Sequence, residues 1–281
     1  MHPLKIALIS TVDFRTPGKK YSSVENLVRS LVIGLHHRGH HVHLFATEDS
    51  RPHMRDYCQF HSYFPHGIRE HDYTNEEART INEQVIRTSA LVASHLDVDL
   101  IHNHDPQGIS ASAKFELDRV LTTCHWDPNS DDMQEQFAQD PFHKLLAISN
   151  MQRRNNPRRN YLDTVYNGID VGSFTFVEKK EDYLLWIGRV AETKGVDLAI
   201  DTAVKLGRPL ILAGKVDVRD QEYFDREIAP RLAKHADLVQ FVGEVDHVGR
   251  NTLYGGAAAY LMPIVWDEPF GMVVPEALAC G

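Results

Sequence analysis

The sequence predicts two open α/β domains in tandem, each built around a mainly parallel sheet. Strand-like apolar runs alternate with amphipathic helical segments along the whole chain, an alternation that is typical of such sheets. Several runs are apolar throughout, as expected for strands that are buried on both faces. A polar, charged stretch at 167–182 interrupts the pattern, and 281 residues suit two domains. We therefore expect domains at 1–170 and 171–281.

The first domain begins with a strand, a loop and a helix. The strand is predicted at 4–10 because that run is apolar, and the loop at 11–21. From Ser22 onward apolar residues recur every three or four positions, which predicts an amphipathic helix. Ser22 or Ser23 suits its N-cap and Gly39 its end.

The remaining elements follow the same alternation. In the first domain we predict strands at 42–46, 98–102, 120–124, 144–148 and 164–166, a helix at 75–95 and a short polar helix after 148. In the second we predict strands at 183–187, 210–213, 238–242 and 259–264, and helices at 193–206, 221–233, 247–255 and 274–279. Open α/β sheets bind ligands at the carboxyl ends of their strands, so this fold class indicates small-molecule chemistry.

Composition narrows the function further. A net charge of −9 argues against a general nucleic-acid binder. No apolar run approaches the ~18 residues that would suggest a membrane span. The three cysteines are widely spaced and form neither a disulfide framework nor a zinc pattern, so a cytoplasmic location is expected.

The strongest motif is the segment 268–281, with the sequence EPFGMVVPEALACG. Glu268 and Glu276 flank a glycine loop that opens a helix, and Pro275 suits the first turn of that helix. Backbone N–H groups at such a helix start favour a phosphate. The spacing by itself fits a plain strand–loop–helix equally well.

A second motif, IGRVAETKG at 187–195, follows the first strand of the second domain. Arg189 and Lys194 straddle the turn, and a guanidinium and an ammonium suit the charge of a diphosphate leaving group. A solvated cationic turn is the alternative interpretation.

Polar residues also follow strands of the first domain. His125 comes directly after the strand at 120–124, at the edge where ligands bind. His102 and His104 end another strand, and we expect them to project to opposite faces, which disfavours a metal site. The Asp97-Val98-Asp99 triplet lies at the amino end of its strand, so we expect no metal there either.

In their order along the chain these motifs resemble those of family 4 glycosyltransferases. The segment 268–276 resembles the Glu-x7-Glu signature, 188–195 the Gly-Arg…Lys-Gly loop, and 166–170 the Asn-Gly-Ile-Asp region. The resemblance extends from about residue 4 to residue 281 and implies the GT-B fold, in which two Rossmann-like domains face a cleft. It implies a retaining transfer of a sugar from a nucleotide-diphosphate donor to an acceptor hydroxyl.

The resemblance also assigns roles to individual residues. Glu268 and His125 would orient the donor sugar at the catalytic centre, Arg189 and Lys194 would hold the diphosphate, and Glu276 the ribose. Main-chain donor contacts are expected from Gly243, Val245, Phe270, Gly271, Met272 and Val273. Neither a metal nor another cofactor is expected, because the cationic loop takes over the neutralising role of a metal.

Other activities of the same fold stay open. A sugar-nucleotide epimerase, a glycogen-synthase-like polymerase and a non-catalytic nucleotide-sugar binder are the alternatives. A nicotinamide dehydrogenase is disfavoured because the loop after the first strand lacks Gly-x-Gly-x-x-Gly.

Two departures from the family pattern affect the expectations. Ser22 and Ser23 stand where relatives carry two glycines, so the candidate acceptor or phosphate loop is bulkier, although the hydroxyls could donate hydrogen bonds. Relatives also continue beyond the Cys280-Gly281 dipeptide. We therefore expect the second domain to be incomplete, in a fragment or an unusually short enzyme.

A basic segment offers a candidate contact with the acceptor. It contains four arginines: Arg153, Arg154, Arg158 and Arg159. It is either a solvated turn or a docking surface for an anionic acceptor or the inner membrane face. The expected partners are thus a nucleotide-sugar donor and a sugar, lipid-linked or small-molecule acceptor.

Overall fold

The computed structural model describes residues 2–20 and 22–281. The chain separates into two compact units, 1–168 and 169–281. Each unit has a parallel sheet with helices, so the predicted α/β class is confirmed.

The described part of unit 1 contains a seven-stranded parallel sheet in the order β3-β2-β1-β4-β5-β6-β7. Its strands are β1 Lys5–Ile9, β2 His41–Phe45, β3 Gln59–His61, β4 Leu100–Asn103, β5 Val120–Cys124, β6 Leu145–Ala147 and β7 Tyr161–Thr164. From β1 the chain runs outward to β3 and then returns to β4 on the other side. The topological switch point of the sheet therefore lies between the adjacent strands β1 and β4, and α/β sheets bind ligands at such a point.

The helices of unit 1 are α1 Ser23–His37, α2 Arg51–Met54, α3 Asn75–His95, α4 Gln107–Lys114, α5 Asp131–Gln139 and α6 Asn150–Asn155. The long helix α3 has the predicted bounds because Thr74 starts it with a capping box: the Thr74 hydroxyl accepts from the Glu77 N–H at 3.2 Å, and the Glu77 carboxylate accepts from the Thr74 N–H at 2.8 Å. The last strand lies earlier than the predicted 164–166.

The apolar run of β1 is buried on both sides of the sheet. Ala7 and Ile9 pack in the layer that contains Ile86 of α3. Leu8 packs in the opposite layer with Val28 of α1. Successive side chains of a strand point to opposite faces, so a continuous apolar run is what a strand covered on both faces requires.

The described part of unit 2 has a four-stranded parallel sheet in the order β10-β9-β8-β11. Its strands are β8 Leu184–Ile187, β9 Leu210–Ala213, β10 Val239–Gly243 and β11 Ala259–Tyr260, and its helices are α7 Val196–Leu206, α8 Gln221–Tyr223, α9 Ala229–Lys234, α10 His247–Gly256 and α11 Val273–Ala279. This order repeats the order β3-β2-β1-β4 of the first sheet, so a second switch point lies between β8 and β11.

Two elements of unit 2 differ from the prediction. A π-helical stretch, Phe224–Ile228, joins α8 to α9 where one regular helix was expected. Strand β11 pairs over two residues, and after the Leu261 N–H donates to the Leu185 carbonyl the chain continues as an irregular segment. That segment forms part of the site described next.

Candidate functional site

At the switch point of unit 2 the loop after β8 packs against the segment after β11. The Val265 N–H donates to the Thr193 carbonyl at 3.1 Å. Gly195 has a φ of +65°, and a Cβ atom there would lie 1.9 Å from the carbonyl oxygen of Pro263. Only glycine satisfies both the left-handed backbone and this close approach.

This packing brings Lys194 and Glu268 together. The Lys194 ammonium pairs with Oε2 of Glu268, and Trp266 Nε1 donates to the same oxygen at 2.9 Å. The Lys194 Nζ also lies 4.9 Å from the centroid of the Trp266 ring, within range of a cation–π contact. The two charged side chains are only 22% and 16% exposed, so the pair is well shielded from water.

Arg189, the other cation of the turn, makes a longer ion pair with its carboxylate partner. Nη1 of Arg189 lies 3.4 Å from Oδ2 of Asp220, which follows β9. Both atoms are buried, and neither has a hydrogen-bond partner among the described residues. Arg189 is therefore neutralised by charge without being locked by directional bonds.

Glu276 lies in a different environment from Glu268. It is 6% exposed on α11, with Oε2 3.8 Å from Nε of Arg250 and 3.4 Å from the hydroxyl of Tyr254 on α10. Burial raises the pKa of this carboxyl, and the Arg250 charge acts in the opposite direction.

Glycines shape the remaining loops of unit 2. Gly271 has a φ of +79° and precedes α11, and its carbonyl accepts from the Val274 N–H at 3.1 Å. Gly243 has a φ of +72° at the end of β10, and its carbonyl accepts from the Gly214 N–H at 2.8 Å. Phe270, Met272, Val273 and Val245 are all half-buried beside these turns.

Three histidines cluster at the strand ends of unit 1. The ring centroids of His102 and His104 lie 4.3 Å apart, and Nδ1 of His104 lies 2.9 Å from Nε2 of His125. The expectation that His102 and His104 project to opposite faces is therefore wrong. Residues two positions apart in a strand share a face, and the polar ring of each packs on the next.

The histidine cluster is uncharged at neutral pH. Burial lowers the pKa of His102 to about 4 and that of His125 to about 3, and it places the pKa of His104 well below its ordinary value. Within residues 2–20 and 22–281 no group of three or more His, Cys, Asp or Glu side chains could hold a metal ion.

Two buried carboxyl groups lie beside the switch point of unit 1. Oε1 of Glu25 accepts from the Thr11 hydroxyl at 2.6 Å, and Oδ1 of Asp105 accepts from the Gln107 N–H at 2.9 Å. Both residues are 3% exposed, and burial raises the pKa of each carboxyl to about 7. Asp13 adds a like charge that raises both pKa values further.

The serines of the predicted acceptor loop lie at the start of α1. Ser22 is the N-cap residue, but its hydroxyl makes no capping hydrogen bond. It is buried beside Gly18, where a Cβ atom would lie 2.0 Å from Oγ of Ser22. Ser23 is half-buried in the first turn.

Comparison with known proteins decides the family. Residues 24–172 match the family model described as Glycosyltransferase Family 4, and residues 173–281 match that described as Glycosyl transferases group 1.

The chain belongs to glycosyltransferase family 4. It is 27% identical over 304 residues to a phosphatidyl-myo-inositol mannosyltransferase of Mycobacterium tuberculosis, an alignment that covers 99% of this chain and 76% of the relative. The enzyme of the same name from Mycolicibacterium smegmatis is 25% identical, with coverage of 99% and 74%. The predicted glycosyltransferase activity is thereby confirmed.

Solved structures confirm the GT-B fold of this glycosyltransferase. AviGT4, a glycosyltransferase involved in avilamycin A biosynthesis, superposes with a TM-score of 0.66 at 22% identity, covering 98% of this chain and 76% of that chain. The sucrose-phosphate synthase of Thermosynechococcus elongatus gives a TM-score of 0.75 at 19% identity, with coverage of 99% and 79%.

The four arginines of the basic segment differ in their contacts. The Arg159 guanidinium lies 4.1 Å from the centroid of the Phe137 ring, and Arg153 lies 3.6 Å from Asp163. Arg154 and Arg158 are exposed. No helix in the described part of the chain is sufficiently long and apolar to cross a membrane.

Among the residues that were not predicted from the sequence, two contact the cations of the turn. Asp220 and Trp266 contact the cations of the turn at 189–194, although neither belongs to a motif. Asp220 follows β9 and Trp266 follows β11, so the rule that strand ends converge at one edge could have identified both.

Proposed function

We propose that this glycosyltransferase moves a sugar from a nucleoside-diphosphate donor to an acceptor hydroxyl, with retention of the anomeric configuration. The observation that carries the proposal is the meeting of Lys194, Glu268 and Trp266 at the switch point of the second sheet. A donor whose leaving group gains negative charge needs preorganised cations at such a place.

The two cations of the turn suit the departing diphosphate. Arg189 offers a planar fork and Lys194 a point charge, and both geometries are used for phosphates. Each is now balanced by a carboxylate, so a bound diphosphate would replace Asp220 and Glu268 as their counter-ions. Once released from the ammonium, Glu268 could accept hydrogen bonds from the hydroxyls of the donor sugar.

The other predicted residues complete the proposed donor site. Glu276 would accept hydrogen bonds from the ribose hydroxyls, and the main chain at Gly243, Val245 and 270–273 would contact the nucleotide. His125 would contribute a hydrogen bond to the transferred sugar.

Retention needs no protein nucleophile in this proposal. The acceptor hydroxyl attacks from the side of the leaving group, the bond between the anomeric carbon and the phosphate oxygen breaks, and that oxygen takes the hydroxyl proton. We propose that no metal is required, because Arg189 and Lys194 balance the developing charge.

The names of the relatives suggest which substrates to test first. Those proteins are named phosphatidyl-myo-inositol mannosyltransferases, so a mannosyl donor and an inositol phospholipid acceptor are the first candidates. The exposed Arg154 and Arg158 are the groups we propose for an anionic acceptor at the cytoplasmic face of a membrane, together with the half-buried Ser23 at the start of α1.

The test begins with thermal shifts against UDP, GDP, ADP and dTDP, since a ligand that binds the folded state raises its stability by mass action. Transfer with the matching sugar donor is then measured for Lys194→Ala and Glu268→Ala, with Lys205→Ala on the exposed side of α7 as the control. We expect each of the first two to lower turnover about 10²–10³-fold. Wild-type rates in both would contradict the proposal.

Product analysis separates the remaining reactions. NMR of the product gives the anomeric configuration, and inversion would refute the retaining mechanism. Epimerised donor in the absence of an acceptor would indicate a sugar-nucleotide epimerase. Tight binding of the nucleoside diphosphate without turnover would indicate a binding protein.

A further inference from the structure

The contact between His104 and His125 indicates which ring nitrogen of His125 carries the proton. His104 is 1% exposed at the end of β4, whereas His125 is only partly covered after β5. Their nitrogens, Nδ1 of His104 and Nε2 of His125, are 2.9 Å apart, and the rings are nearly parallel at 19°. Of the two rings, His125 is the one that a ligand can reach.

One proton lies between these two nitrogens, because both rings are neutral. If His125 donates, its Nδ1 is bare, and His104 must carry its own proton on Nε2. If His104 donates from Nδ1, then His104 Nε2 is bare and His125 carries its proton on Nδ1.

The surroundings of His104 Nε2 decide between the two arrangements. This nitrogen is buried and has no hydrogen-bond partner among the described residues. A buried backbone N–H without an acceptor is rarer in proteins than an under-satisfied backbone carbonyl, and we apply the same order to the two forms of this imidazole nitrogen. The arrangement with a bare Nε2 on His104 is therefore the more stable one.

We propose that His104 is a positioning residue for His125: its Nδ1–H donates to Nε2 of His125 and so fixes the proton of His125 on Nδ1. His125 then presents a hydrogen-bond donor to the transferred sugar and cannot act there as a base. The proposal rests on the role of His125 given under the proposed function and adds the direction of its hydrogen bond.

His102 supports this arrangement from the other side of His104. Its Nε2 lies 2.8 Å from the Thr123 hydroxyl, and its ring packs against the ring of His104. The His104 ring is thus packed between two other imidazoles, which fixes the orientation of the ring and hence which nitrogen faces His125.

The test is long-range ¹H–¹⁵N NMR of the full chain with labelled histidine at neutral pH. The wild-type protein should show His125 protonated on Nδ1 and bare on Nε2. His104→Asn can place its amide N–H₂ where Nδ1 was, whereas His104→Leu has no donor. We expect Asn to keep the tautomer of His125, and Leu to release it to a mixture or to Nε2–H.

Activity gives an independent readout. Loss of the partners that orient metal-binding histidines costs about 10–100-fold in activity, and by analogy we expect His104→Leu to lower turnover about tenfold while the KM for the donor changes little. His104→Asn should recover most of that loss. His143→Asn is the matched control, because His143 is a buried histidine that contacts Thr122 and Asp140 instead of His125.

Two results would overturn the inference: a wild-type His125 protonated on Nε2, or an unchanged His125 tautomer in His104→Leu. Failure of the proposed function gives a different pattern. In that case His125→Ala transfers sugar at the wild-type rate, while the NMR spectra still report whether His104 sets the tautomer.

Discussion

The two switch points of this glycosyltransferase share a topology and differ in chemistry. In unit 1 the strand ends carry carboxyl groups whose pKa burial raises and imidazoles whose pKa burial lowers, as at Glu25 and His125. In unit 2 they carry Arg189 and Lys194, each of which lies beside a carboxylate. Burial therefore favours the neutral forms of the side chains in unit 1, whereas ion pairing balances the charges in unit 2.

This difference indicates what each place can bind. Uncharged, hydrogen-bonding groups suit hydroxyls, which bring no charge that must be balanced. Ion pairs suit a ligand that can replace one partner, because a diphosphate can take the place of a carboxylate. The fold provides two topologically equivalent switch points, and the side chains at each decide which ligand it accepts.

The largest expected effect is the loss of a cation in unit 2. Lys194→Met keeps much of the length of the side chain but removes the ammonium that we propose contacts the diphosphate, and it leaves the carboxylate of Glu268 without its counter-ion. We expect the nucleoside diphosphate to bind about 100-fold more weakly by calorimetry. Lys205→Met is the control, and an equal loss of affinity for the nucleoside without phosphates would show that the charge was not the cause.

The next prediction concerns the pH dependence of unit 1. Because the pKa of folded Glu25 is raised from 4.5 to about 7, the folded state keeps this proton to a higher pH than the unfolded chain does. The contribution of Glu25 to stability is thus complete below about pH 4.5 and is lost as the pH rises to 7. Glu25→Gln stays neutral and escapes this loss.

The difference between variant and wild type isolates the effect of Glu25. The buried histidines have lowered pKa values and act in the opposite sense, destabilising unit 1 as the pH falls below about 6.5. Relative to wild type, Glu25→Gln should gain about 2 kcal/mol between pH 5 and pH 8, measured by hydrogen exchange in β1 and β4. The exposed Glu135→Gln is the control. A difference that does not vary with pH would contradict the prediction.

The smallest effect is expected at Asp220, which under the proposed function would compete with the diphosphate for Arg189. Asp220→Asn removes the competing charge from a contact that has no hydrogen bond to lose. The nucleoside diphosphate should bind about fivefold more tightly, roughly 1 kcal/mol, and the nucleoside should bind as before. Asp225→Asn, on the exposed side of the same segment, is the control. Weaker binding would mean that Asp220 holds Arg189 in its binding position.

Helices and strands were predicted most accurately from the sequence where their local signals are complete. Helix α3 has an apolar stripe and a capping box, and strands β5 and β9 are short runs with clear ends. Strand β3 was missed because Gln59–His61 is a short polar edge strand with no alternation. Helix α5 was missed although Met133 and Phe137 have helical spacing after Ser130, so its signal was present but weak.

The charged residues of the candidate site were named from the sequence, whereas the residues that they contact were not. Arg189, Lys194, Glu268 and Glu276 belong to motifs that can be recognised along the chain. Their contacts with Asp220, Trp266 and Arg250 depend on which loops the strand order brings together, and no local pattern encodes that order. The face shared by His102 and His104 could have been derived from strand geometry alone.

The absence of a side chain at Gly195 allows the turn at 187–195 to lie close to the segment after β11. Gly195 lets the backbone of that turn approach the carbonyl oxygen of Pro263, and we infer that this contact helps to set the span between the Lys194 ammonium and the Trp266 ring. Gly195→Ala would preserve every ionisable group of the enzyme and still widen that span, and calorimetry should show weaker diphosphate binding. In this enzyme the position of the Lys194 charge therefore depends on the close backbone packing at Gly195.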